Sequence, residues 1–183
     1  MSFINYRNNP QRRGIITELF NSSTTGSSSA LALDSQTPMI VSHKNPNNTF
    51  SFVIEGSVID SPLDQDWVAI GSAVSTSVGT LITAPFPYLR VRVTTNVATT
   101  RTASSVTQTS GTATFNCVSH AFLAGDIVTI SGATGATTGF NVTKARVLTA
   151  AANSFTYAVD SGTTSPATGT VIATGHHRIY CSE

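Results

Sequence analysis

The chain has 183 residues, with ten Lys and Arg against nine Asp and Glu for a formal net charge of +1, and only 10% of its residues are charged. That length supports one ordinary domain or two small ones, with a buried core that needs no metal or disulfide staple. The balanced charge argues against a general nucleic-acid binder, which would show a strong basic excess.

Serine and threonine take the polar positions instead, together with 13 glycines. A surface solvated by hydroxyls and backbone suits a protein packed in an assembly. No apolar run approaches the ~20 residues of a membrane helix, and the start lacks the basic-then-apolar order of a signal peptide. Synthesis in a cytoplasm is the expectation.

Residues 1–13 carry Arg7, Arg12 and Arg13 and no acid. Without helical or strand periodicity they read as an extended basic arm, and these three arginines are the candidates for anchoring on an acidic or assembled surface. Residues 14–98 then give seven short segments rich in β-branched and aromatic residues, GIITELF, SALAL, PMIVS, TFSFVIEGSV, DWVAIGS, GTLITA and YLRVRVT, most of them separated by Asn, Pro, Gly, Ser or Asp. Seven such strands predict a β-sandwich. In TFSFVIEGSV, Phe50, Phe52 and Ile54 share one face; in YLRVRVT, Leu89, Val91 and Val93 alternate with Arg90 and Arg92, which must face solvent or a partner.

Residues 99–111 hold few large apolar side chains and read as a linker. From residue 112 to 175 a second, smaller all-β unit is expected, opening with TATFNCVSH and closing with TGTVIAT, as a compact barrel or curled sheet of five strands. The ending HHRIYCSE alternates again, placing Ile179 and Cys181 on one face and Arg178, Tyr180 and Ser182 on the other. This makes an insertion conceivable, with residues 176–183 returning to complete the first sandwich.

Candidate chemistry is sparse. GDIVTISGATGATTGF, residues 125–140, concentrates glycines after an apolar strand, but it lacks the lysine of a phosphate loop and the following helix of a dinucleotide loop, so a hairpin connection explains it better. His176 and His177 point to opposite faces of a strand and, like His43 and His120, are assigned surface or edge positions. No histidine spacing predicts zinc. Glu55, Asp60, Asp64 and Asp66 surround SVIDSPLDQDW, where a polar turn outweighs a calcium site or a catalytic acid pair. Trp67 is expected to cover an end of the core, with glycan stacking as the alternative. Together with Tyr88, Arg90 and Arg92 it forms the candidate glycan or partner contact. Cys117 and Cys181 lack CxxC spacing and read as buried small residues. No catalytic residue, cofactor or metal is expected.

FSFVIEGSVIDSPLDQDWVAIGS and the following GTLITAPFPYLRVRVTT resemble a β-sandwich module of tailed-bacteriophage virion proteins. His120 and Phe122, residues 125–132, residues 139–141 and NSFTY at 153–157 resemble the small β-barrel first catalytic-cysteine half-domain of ubiquitin-activating enzymes, a module that recurs in phage tail, fibre and decoration proteins. That half-domain lacks the nucleophile, so the resemblance gives Cys117 no catalytic role. What the resemblance implies is a non-enzymatic virion protein, foremost a capsid decoration or cement protein whose partner is the major capsid protein, in a homo-oligomer with a trimer as one form, without membrane or specific nucleic acid. A neck, tail or short-fibre component, with adhesion to host-surface glycans as a variant, is the alternative.

Overall fold

The computed structural model describes residues 16–33, 39–44, 49–75, 80–82 and 86–182. Arg7, Arg12 and Arg13 lie outside the described residues. Within them the chain is all-β, with antiparallel sheets and two short 3-10 turns. It divides into two compact units, one built from the described parts of Met1–Lys44, Thr49–Asn96 and Arg178–Glu183, the other including Val97–His177.

The first unit packs two sheets on a shared apolar core. Its first sheet has the order β1-β17-β4-β7, from Ile16–Ser22, His177–Ser182, Met39–Lys44 and Thr80–Ile82. The second has the order β2-β8-β5-β6, from Gly26–Ser27, Tyr88–Asn96, Phe50–Ser57 and Val68–Ala69, and β3 (Leu31–Ala32) also pairs with β8. All seven expected segments contain a strand. The period-2 alternation is realised: Phe50, Phe52 and Ile54 of β5 and Leu89, Val91 and Val93 of β8 point inward, where they meet Phe20 and Ile179. Phe52 and Val93, then Ile54 and Val91, stand directly opposite one another, the close cross-strand pairs that stabilise an antiparallel sheet.

Strand β17 lies between β1 and β4, and pairs with β4 from Arg178↔Lys44 to Ser182↔Ile40. Arg178 also bonds Glu18 of β1. Ile179 and Cys181 are buried on one face, whereas Arg178 and Tyr180 are half-buried on the other. Residues 178–182, which follow the second unit, thus supply most of an interior strand of the first.

The second unit is a sandwich of two four-stranded sheets, with orders β10-β11-β15-β14 and β13-β12-β16-β9. Their ranges are β9 Thr100–Thr102, β10 Ser105–Thr109, β11 Thr112–Asn116, β12 Ile127–Ser131, β13 Val142–Arg146, β14 Thr149–Ala151, β15 Ser154–Ala158 and β16 Ile172–Gly175. Two expectations are corrected here. The supposed linker over 99–111 forms β9 and β10, which join the two sheets as edge strands. The expected barrel does not close among the described residues; its strands separate into two facing layers. Between them, Phe115 stacks on Phe155 at 4.7 Å and Phe122 meets Phe155 edge-on at 5.5 Å, aromatic geometries that add to simple burial.

The glycine-rich stretch connects β12 to β13, which pair antiparallel. The connection carries a 3-10 turn at Gly135–Phe140. Its neck is closed by a side chain acting as backbone: Asn141 Nδ2 donates to the Ala133 carbonyl and Asn141 Oδ1 accepts the Ala133 N–H, both at 2.9 Å. Gly132 is required there, because at φ +91° a Cβ would lie 2.0 Å from the Thr170 carbonyl oxygen.

Three of the four histidines are another correction, while the side chain of His43 lies outside those described. His120, His176 and His177 are all buried. His120 Nδ1 accepts the Phe122 N–H, leaving Nε2–H to donate to the carbonyls of Ala151 and Ser154 at 2.7 and 3.0 Å. It pins a loop in which Ser119 and Ala121 both adopt positive φ, a backbone cost that persists where surrounding bonds over-determine the conformation.

Candidate functional site

The outer face of the β2-β8-β5-β6 sheet gathers the four candidate contact residues. Alternation places Tyr88, Arg90 and Arg92 of β8 on that face, and register sets Glu55 of β5 directly opposite Arg90. Residues 58–67 leave β5, fold into a 3-10 turn at Asp64–Asp66, and return so that Val68 pairs with Gly56. The turn is tied by Asp66, whose Oδ2 accepts the Leu63 N–H at 2.8 Å, and Ser61 supplies a positive φ of 56°.

A shared ionic array results. Arg90 Nε donates to Glu55 Oε2 at 2.7 Å and its second nitrogen donates to Asp64 Oδ1 at 2.6 Å, while Arg92 Nε donates to Glu55 Oε1 at 2.6 Å. The Arg90 guanidinium lies 4.6 Å from the centre of the Trp67 ring, within cation–π range. Tyr88 donates its hydroxyl to Asp60 Oδ1 at 2.8 Å.

This corrects the expectation that both arginines face solvent or a partner: Arg90 is buried and its partners belong to its own chain, whereas Arg92 remains exposed. Trp67 does not cap the core; it is half-buried against Arg90 on the outer face. A planar guanidinium explains both facts, since it can pair with carboxylates along its edge and stack on a ring with its face.

The electrostatics follow from these contacts. Burial opposes the charge on Arg90, but the hydrogen bonds it donates to Asp64 and Glu55 outweigh it and raise the pKa above the ordinary value. The Tyr88 hydroxyl is likewise raised, chiefly because it donates to the Asp60 carboxylate and its ionisation would end that bond.

The four acids therefore do different jobs: Asp60 holds Tyr88, Asp64 holds Arg90, Asp66 ties the turn, and Glu55 bridges two arginines. Among the described residues no group of three or more His, Cys, Asp or Glu is arranged to hold a metal ion. Chemically the face can offer Arg92 as a donor, the free lone pairs of Asp60 and Asp64 as acceptors and the open part of Trp67 as a stacking surface.

The structure brings the four named residues onto one face, an association that the sequence did not reveal. Glu55 was the missed organiser, and the available signal was its position on the polar face of β5 beside two arginines on the polar face of another long strand.

Cys117 and Cys181 are buried thiols, as expected. No helix among the described residues is long and apolar enough to cross a membrane. No family model, curated protein or solved structure matches the chain.

Proposed function

We propose that this protein is a non-enzymatic structural component of a bacteriophage virion, made in the host cytoplasm, and that it acts as a decoration or cement protein on the outer capsid. The major capsid protein is its partner, and a homo-oligomer such as a trimer is its working form. The observation that carries this reading is the outer face of the β10-β11-β15-β14 sheet. One row across all four strands is Thr107, Thr114, Thr156 and Thr149, and the next is Ser105, Asn116, Ser154 and Ala151. No charged side chain interrupts either row.

Such a face is inexpensive to bury, because charges need not be stripped of water and the hydroxyls can bond across the contact. The mechanism is mass action: area buried across subunit boundaries exists only in the assembled shell and therefore stabilises it. The first unit and the basic arm, with Arg7, Arg12 and Arg13, supply anchoring. The sequence resemblances to virion modules point the same way.

Gel densitometry of purified particles and binding to empty, tailless heads test the proposal. Hundreds of copies per particle and binding to bare heads are expected; a few to dozens of copies without head binding would overturn it.

The second reading, a neck, tail or short-fibre part that adheres to host-surface glycans, is favoured by one observation. Trp67 is partly open and flanked by polar groups, as a sugar-stacking platform requires. On that reading Trp67→Ala abolishes adsorption to host glycans; on the decoration reading it leaves adsorption unchanged.

A further inference from the structure

The loop between β5 and β6 exposes more apolar surface than its own fold requires. Val58, Leu63 and Val68 are 70%, 65% and 60% exposed, and Ile59 is 47% exposed. All four belong to one closed loop whose ends meet at the Gly56↔Val68 pair, so they are confined to one end of the sheet. Singly exposed apolar residues are ordinary, but four on one short loop mark a contact surface.

The same loop has a charge imbalance. Between Lys44 and Arg90 the sequence has no basic residue and four acids, Glu55, Asp60, Asp64 and Asp66. Arg90 and Arg92 offset two of the four, which leaves the face net negative. Asp64 keeps 95% of its side chain exposed even while it pairs with Arg90.

The chain carries one segment of complementary character. Its first 13 residues include Phe3, Ile4 and Tyr6, then Arg7, Arg12 and Arg13, without an acid. Taking those three arginines from ten basic residues leaves seven against nine acids, so the rest of the chain is −2 while the arm is +3. Apolar residues followed by arginines match a loop in which apolar residues and acids alternate.

We propose that the N-terminal arm of one copy docks on the β5–β6 loop of a second copy, with Phe3, Ile4 and Tyr6 on the exposed apolar side chains and the arginines on Asp60, Asp64 and Asp66. Covalent reach favours a neighbouring copy. Arg12 and Arg13 stand four and three residues before β1, so their backbone strays at most ~14 Å from it. β1 belongs to the opposite sheet, and the loop's face lies a sheet spacing of ~10 Å plus strand spacings of ~5 Å away, with the sheet edge to be rounded. A chain's own Arg12 and Arg13 would span that path only with backbone and side chain near full extension, whereas a neighbour's arm meets no such limit.

The contact narrows the anchoring role of the arm from the capsid surface at large to a neighbouring copy, and rests on the reading of the protein as a repeated structural component. Crosslinking of the purified full chain tests the contact, and particle copy number tests that reading, so the two failures are distinguishable.

The probe is a photoreactive benzoylphenylalanine in place of Tyr6, ahead of β1, in an equal mixture of isotopically light and heavy chains. The expected adducts join position 6 of one isotope to the 58–68 peptide of the other. Reversing Arg7, Arg12 and Arg13 to Glu should lower their yield ~tenfold, as for three partly exposed ion pairs lost and made repulsive. Adducts confined to single chains, adducts elsewhere, no adducts, or a yield indifferent to charge reversal would each overturn the proposal.

Discussion

Glu55 is nearly enclosed, and its two oxygens are held by different arginines. Enclosing a carboxylate is costly unless a partner and hydrogen bonds offset it, and removal of one partner leaves the cost without the gain. Arg90→Met should therefore lower unfolding stability, by less than the ~3–5 kcal/mol of an uncompensated buried charge because Arg92 still pairs with Glu55, and Glu55→Leu combined with Arg90→Met should regain most of that loss. Urea titration of the parent, the single and the double variant checks both statements.

His177 belongs to the same scale but responds to pH. Burial, aided by repulsion from His176, holds its pKa below 6.5, against an opposing backbone hydrogen bond at Val97. The unfolded chain thus takes up this proton before the folded chain does. Stability from this group is complete above pH 6.5 and is lost as the pH falls through the folded value. The urea midpoint should drop between pH 7.5 and 5, and His177→Asn should flatten that drop; equal slopes in parent and variant would exclude His177 as the source.

At the scale of elements, glycine positions separate turn geometry from close approach. Gly132→Ala meets both a left-handed φ and a carbonyl oxygen 2.0 Å away, whereas Gly135→Ala has φ +59° with nothing within 4 Å. The first should cost ~2–5 kcal/mol and the second ~1–2 kcal/mol, from left-handed backbone alone or with overpacking added. Denaturation of the two variants side by side tests the difference.

The same elements show what the sequence could and could not reveal. β5 and β8 were legible because apolar and polar residues alternate over several residues, and their buried apolar set is the expected one, with Glu55 and Arg90 buried in addition. β9 and β10 were not, because their inward contribution is almost wholly Val106; a threonine-rich edge strand has the composition of a linker. The buried histidines were equally hidden. A ring bonded to loop carbonyls, as in His120, depends on backbone atoms whose approach no local pattern encodes. At the candidate site the residue types were legible, but the pairing of Glu55 with both arginines depended on strand register, which the sequence left open.

For the whole molecule, each unit has its own core, and a unit with its own core can fold as a unit. Over its described residues the second is continuous, from Val97 to His177, but the first is closed by β17. Deleting residues 178–183 should unfold the first unit and spare the second, leaving a protease-resistant fragment of the latter alone. Degradation of both units, or survival of both, would contradict this division.

The position of β17 also orders events on the ribosome. The strands β1 and β4 emerge early, yet the partner that belongs between them is made only after the 132 residues that separate Lys44 from His177, roughly 7–26 s later at ordinary rates of synthesis. Until then the first unit presents two open strand edges, and the second can fold ahead of it. Synthesis through Ser182 is therefore the event that closes those edges and completes the first sheet, so a nascent chain halted before β17 exposes a ready template for strand pairing.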